Sequence, residues 1–323
     1  MGMLEALTNK IKQKEDLIKV YKKDNKKSIS FSTLNTVETC YRLYKFQYVD
    51  RVSVESDNIY TYLGSKAHSI IEQLYRGEIN NKQAIKLWDD SMNNTSLLFV
   101  NYDKIENEEV KKDLKHKNDL YKNNYNKNMK HYFFNFKSKF KPNSFLQEKT
   151  VMFELKKFFN NNIFKDYYFK GIVDFINIRE DGSLDIVDYK TSTIYKNNKL
   201  ITHSYQLILY AIALEDMGFK INSLGWNFLK YVRKKKVSTK SEKYFNVERK
   251  TLKDTDIFED CIINIDYTPE SKLKALKYLY SNLLNIIKLE SFKNINGNKI
   301  PYNYNKFFCE NLCSCYTICD LGG

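Results

Sequence analysis

The spacing of apolar residues changes several times along the chain, and each change predicts an element. Residues 1 to 30 read as a basic helical lead-in. From Asn58 to Arg76 the residues Tyr60, Leu63, Ala67, Ile70, Ile71 and Leu74 recur every three or four positions, which predicts a helix closed by Gly77. Between Ile79 and Lys141 the chain is rich in Lys and Asn, carries aromatic residues and has few breakers, so inserted helices are expected. From Lys149 the period drops to two. Val151, Phe153 and Leu155 alternate as a strand, Tyr167 to Ile178 predicts a second strand and Leu184 to Tyr189 a third, with Asp181-Gly182 turning the chain between the last two. His203 to Met217 is apolar on most sides and predicts a helix; Ser223 to Val232 predicts a further strand, followed by a basic loop at Arg233 to Lys243 and another strand-like stretch. Pro269 to Phe292 is amphipathic at helical spacing. The order helix, three strands, helix, strand argues for the α/β class, with a mixed central β-sheet flanked by helices.

Composition narrows the setting. A hydrophobic content of 42% over 323 residues is enough for a sizeable core, and only 3 Pro and 10 Gly exclude collagen-like and linker-dominated architectures. The longest apolar run, Leu207 to Leu214, falls far short of the ~20 residues a membrane-spanning helix needs. Glu5, Lys10, Lys12, Lys14 and Glu15 interrupt what would be the apolar region of a secretory signal, so a cytoplasmic protein is expected, with no membrane partner. A net charge of +14 points to a polyanionic partner.

Four of the six cysteines, Cys309, Cys313, Cys315 and Cys319, crowd into the tail, leaving Cys40 and Cys261 elsewhere. In a reducing compartment such spacing suits metal ligation better than disulfides. Cys309-x3-Cys313-x5-Cys319 supplies three thiolates and wants a fourth, for which Cys40 is the natural candidate, on a helix that Ser32 or Thr33 would cap; Cys315 is then a spare thiol. A zinc knuckle made from the four tail cysteines alone fits the spacing too.

The chemistry concentrates in carboxylates. Asp188 and Lys190 are two apart in a predicted strand, so their side chains share one face with Tyr189 turned away. Asp174, on the preceding strand, could share a divalent cation with Asp188, while Lys190 favours attack on a phosphate. His68 lies on the helix before the sheet and is a candidate metal ligand; Gln206 and Tyr210 stack at i and i+4 on the helix after it.

These residues together resemble the PD-(D/E)XK nucleases, and within them the RecB-like branch that carries an iron-sulfur cluster and includes CRISPR-associated exonucleases and stand-alone phage proteins. Residues 31 to 46 are similar to that branch's opening motif with its first cysteine, Gly64 to His68 to its histidine motif, Gly171 to Asp174 to its first acidic motif, Asp188-Tyr189-Lys190-Thr191 to its signature, Gln206 to Tyr210 to the motif that follows, and the tail cysteines to its closing triplet. The family usually spaces the first two tail cysteines by two residues, whereas here there are three, and Cys315 is extra.

The resemblance implies a restriction-endonuclease-like core at 58–78 and 149–250, a helical insert at 79–148, an N-terminal helical segment at 1–57 carrying Cys40, and a C-terminal helix and iron-sulfur tail at 251–323. It implies that His68, Asp174 and Asp188 hold Mg²⁺ or Mn²⁺, that Lys190 orients the water and stabilises phosphate charge, and that Gln206 and Tyr210 contact the nucleic-acid backbone or steady Lys190. Cys40, Cys309, Cys313 and Cys319 would hold a [4Fe-4S] cluster. Lys234, Lys235 and Lys236 are candidate phosphate contacts. The expected activity is that of a DNA exonuclease acting on single strands or free ends in recombination, repair or phage DNA processing. The alternative is an iron-sulfur nucleic-acid-binding accessory subunit of a recombination or CRISPR adaptation complex. With no GxxxxGK[ST] phosphate loop in the sequence, a helicase partner would be a separate chain.

Overall fold

The computed structural model describes residues 2–52, 58–102, 105–138, 144–236 and 243–320. In chain order its elements are α1 (Met3–Lys23), β1 (Lys27–Ile29), α2 (Phe31–Thr39), α3 (Tyr41–Tyr44) running into a π-helical turn (Lys45–Val49), α4 (Ile59–Arg76), α5 (Asn81–Asn93) and α6 (Glu108–Phe134). There follow β2 (Phe145–Glu154), α7 (Leu155–Phe158), β3 (Tyr167–Ile178), β4 (Leu184–Lys190), α8 (Asn197–Asp216), β5 (Ile221–Lys236), β6 (Lys243–Glu248), β7 (Phe258–Ile265), α9 (Pro269–Ser291) and α10 (Lys306–Asn311).

The predicted succession α4, β2–β4, α8, β5 is observed and builds one mixed sheet flanked by helices. The β2–β3 and β3–β4 pairs are antiparallel, β4–β5 is parallel, and β7 closes the far side of β5 antiparallel. The two short strands share edges with longer neighbours. β1 pairs in parallel with Tyr167 to Phe169 on the edge of β3 that β4 takes up again at Phe175, and β6 takes the end of β5 beyond β4.

The helices on the two faces follow from their apolar stripes. Asn58 accepts from the Thr61 amide to start α4, and Gly77, at φ 68°, ends it in the left-handed region that glycine adopts without strain. The stripe from Ile59 to Leu74 then packs on Trp88 of α5, Met129 and Phe133 of α6, and Phe175 and Tyr189 of the sheet. On the other face α8 is buried from Leu207 to Leu214 because the sheet covers one side and Ala275, Leu279, Leu283 and Ile286 of α9 the other.

Several expectations change. β2 begins at Phe145, inside the stretch read as insert, and Leu155 opens α7 rather than ending the strand. Arg233 to Lys236 continue β5 as strand instead of opening a basic loop, because β6 and β7 pair with them; residues 237–242 of that expected loop lie outside the described residues. The cap of α2 is Ser30, whose Oγ accepts from the Thr33 amide at 3.2 Å, and Ser32 and Thr33 are inside the helix. Cys40 is not helical: at φ −163° and ψ 119° it is the extended joint between α2 and α3.

Candidate active site

Beyond the pair Phe175–Val187 the strands β3 and β4 part, and the site is built in that gap. Asp174 would stand opposite Asp188 if the ladder continued. Instead the Tyr189 amide donates to Asp174 Oδ2 at 2.8 Å, so a carboxylate takes the place of a ladder carbonyl and is fixed in the gap. α4 brings in His68, whose Nε2 lies 3.0 Å from the Tyr189 carbonyl and whose Nδ1 lies 3.5 Å from Asp174 Oδ2. On the α8 face, Asp188 Oδ2 forms an ion pair with Lys190 Nζ at 2.7 Å, and the ammonium donates to Gln206 Oε1 at 3.1 Å. Gln206 Nε2 in turn donates to Tyr210 OH at 3.0 Å. The five residues named from the two acidic motifs and the helix after them, with His68, therefore converge on one place.

Close packing holds the relay. A Cβ on Gly171 would come within 2.2 Å of the Tyr210 ring, so only glycine lets β3 and α8 approach this closely. Tyr210 is 5% exposed, so most of its ring packs inside the molecule.

One residue of the site escaped the sequence reading. Glu148 of β2 has φ 49°, a left-handed conformation that is uncommon for a non-glycine residue, and it interrupts the β2–β3 pairing opposite Asp174. The kink brings its carboxylate 3.9 Å from His68 Nδ1. Ligand atoms of His68, Glu148 and Asp174 lie within 4.8 Å of one another, the only such group of three among the described residues. No motif marks Glu148; the left-handed backbone is visible only in the fold.

Protonation follows from this crowding. Burial opposes charge on His68, but Glu148, Asp174 and Asp188 outweigh it and raise the imidazole to about 9. Burial first and Asp188 second push the Asp174 carboxyl up to about 7, against His68 and Lys190. Burial would discharge Lys190, yet Asp188 holds its ammonium above the ordinary lysine range. His68, Glu148 and Asp174 thus bring an imidazole and two carboxyl groups together at a place a divalent cation suits. Oxygen donors with one imidazole fit Mg²⁺ or Mn²⁺.

The family model of the PD-(D/E)XK nuclease superfamily matches residues 28–320. The chain belongs to that superfamily. Its sheet and helices form the restriction-endonuclease-like core. Among solved structures the chain is similar to SSO0001, at 13% identity and a TM-score of 0.33 over 100% of this chain and 98% of that one. It is also similar to a protein from Eubacterium rectale named "Putative exonuclease", at 13% identity and a TM-score of 0.40 over 92% of this chain and 89% of that one. At such scores neither adds to the superfamily assignment. A search of curated proteins finds no match.

Away from the site, the basic residues at the end of β5 are partly engaged. Lys234 Nζ is 2.7 Å from Asp256, Lys235 has an interaction of its own, and the side chain of Lys236 lies outside the described residues.

The cysteines converge as well. Cys40, Cys309, Cys313, Cys315 and Cys319 line a single cavity with Arg42, Leu43, Phe46 and Phe308. Cys261, buried on β7 in the main core, does not line that cavity. Cys315, read as spare, is the most buried of the five and packs on Leu43 and Phe46. Arg42 ties the arrangement: its guanidinium donates to Cys319 Sγ at 3.3 Å, to the Asn298 carbonyl at 2.6 Å and the Ile300 carbonyl at 3.1 Å, pairs with Asp320, and stacks on Tyr302.

Proposed function

We propose that this chain is a metal-dependent DNA nuclease that acts on single strands or free ends, with a [4Fe-4S] cluster holding its tail to its N-terminal segment. The observation that carries the reading is the gap between β3 and β4, where Asp174, Asp188 and Lys190 meet with His68. His68, Asp174 and Asp188, with Glu148 beside them, would hold Mg²⁺ or Mn²⁺, which supplies Lewis acidity at the scissile phosphate and lowers the pKa of a water.

The chain's own part is positioning and charge. Lys190, kept protonated by Asp188, acts as a fixed positive charge toward the phosphate and not as the base that takes the water's proton. Gln206 accepts from Lys190 and so fixes where that charge points, and Tyr210 fixes Gln206. These two are positioning residues. Lys234 on β5, 2.7 Å from Asp256, is a candidate contact for a neighbouring phosphate. The complete acidic pair and lysine favour an active enzyme over an accessory subunit.

Cys40 with Cys309, Cys313 and Cys319 would bind the cluster, with Cys315 within the same cavity. The protein would work in the cytoplasm, where free thiols are kept, and a helicase or recombination partner would be a separate chain. A timed digest of end-labelled single- and double-stranded DNA tests the reading: mononucleotides or short products should accumulate from single strands with Mg²⁺ or Mn²⁺ and cease with chelator. Intact DNA at every metal concentration would overturn it.

A further inference from the structure

A second concavity lies along the β1 edge of the sheet. It is a groove of about 770 Å³ whose charged lining is Lys22, Lys26, Lys27, Arg51 and Lys293 against the single carboxylate of Glu290. Glu290 is already engaged, since it pairs with Lys27 and accepts from Tyr167 OH at 2.7 Å. Lys22, Arg51 and Lys293 make no ion pair among the described residues, and Lys26 lies only over the Tyr21 ring. Several lysines elsewhere are paired: Lys14 and Lys157 with Asp216, Lys272 with Glu215, Lys234 with Asp256. Like charges gathered around one hollow with a single, already engaged carboxylate among the described residues repel one another and cost stability, a cost that a polyanion reverses.

The groove also offers a flat aromatic surface. Tyr44 and Tyr48 stack at 5.1 Å with an interplanar angle of 15°, and Tyr48 is 41% exposed. Cations beside an exposed stacked ring match a single strand, whose backbone is charged and whose bases are free to stack; a duplex keeps its bases inside.

Its position relates it to the catalytic gap. β1 and β4 share one edge of β3, and between Phe169 and Phe175 neither strand pairs with it. From Tyr167 beside the groove to Asp174 in the gap is roughly 20 Å along β3, a span that several nucleotides of an extended strand cover. We propose that the groove is a second binding site for single-stranded nucleic acid, with phosphates on Lys22, Lys26, Arg51 and Lys293 and a base on Tyr48, which holds the strand whose end or segment lies in the gap. This inference rests on the nuclease reading for the strand's destination but not for its binding.

The test uses the full chain carrying Arg51→Gln with Lys293→Gln, and separately Tyr48→Ala, with single-stranded oligonucleotides of about four and about twenty nucleotides. The double variant should bind the longer strand about tenfold more weakly, with the slope of log affinity against log salt shallower by about 1.4, and should bind the shorter strand as the parent does. Tyr48→Ala should weaken the longer strand with no change in salt slope. Unchanged affinity for the longer strand in variants that melt like the parent would overturn the site, and an equal loss on duplex would overturn its single-strand character. If the parent cuts no DNA while the variants still lose long-strand binding, the nuclease reading fails and the groove stands.

Discussion

Lys190 shows how a single ammonium is set for its task. It is drawn to Asp188 at 2.7 Å and to Gln206 at 3.1 Å, and the second contact has no charge of its own, so its value lies in direction. Gln206→Met keeps the volume and removes the acceptor. A hydrogen bond to a charged group contributes about 1.5–3 kcal/mol, so kcat should fall by about tenfold to a hundredfold with KM and melting temperature little changed. A matching rise in KM instead would make Gln206 a substrate contact. His68 and Asp174 predict how metal competes with protons. With the imidazole raised to about 9 and the carboxyl to about 7, metal must displace one proton between those values and up to two below them. Mn²⁺ affinity, followed by calorimetry, should therefore rise about tenfold per pH unit from pH ~7 to ~9 and more steeply beneath. An affinity independent of pH would remove His68 from the ligand set. Asp174, Asp188 and Lys190 were legible because two-residue spacing in a strand fixes a shared face. Glu148 was not, since it falls at the end of the stretch read as insert, just before the alternation that begins at Lys149, and its left-handed backbone leaves no mark in the sequence.

At the scale of elements, helices with explicit ends were readable, whereas of the outer strands only one strand-like stretch after Lys243 was expected where β6 and β7 form. α4 carries Asn58 before its stripe and Gly77 after it, so sequence gives both limits. β1 has three residues, and it exists because an unpaired stretch of β3 accepts it, a long-range cause that no local period contains. β7 lies between a turn and a helix and exists for a like reason, covering the open edge of β5. The contact that joins β3 to α8 is Gly171 against Tyr210, and it also bears on activity. Gly171→Ala should force the Tyr210 ring aside, cost about 1–3 kcal/mol in denaturant unfolding, and lower kcat through Gln206. A stable variant with parental kcat would show that Tyr210 moves freely and does not support the relay.

Over the whole molecule, Cys40 and Arg42 in the first part of the sequence meet the tail cysteines in its last part. The convergence was foreseeable from cysteine number and spacing; Arg42, a buried guanidinium beside a thiol, was not, because a lone arginine next to aromatic residues reads as surface. Protein prepared without oxygen should be brown and hold about four iron and four sulfide per chain. Cys40→Ala should lose that iron, and Arg42→Met should keep it initially but release it faster on exposure to chelator. Iron retained in Cys40→Ala would place the centre in the tail alone. The nuclease claim itself is tested most directly by Asp188→Ala, assayed for both cleavage and binding of end-labelled single-stranded DNA with Mn²⁺. The account predicts a loss of cleavage of about a thousandfold or more with binding kept within a few-fold, since the ligand is lost but the phosphate contacts are not. Cleavage at the parental rate in the purified variant would contradict it.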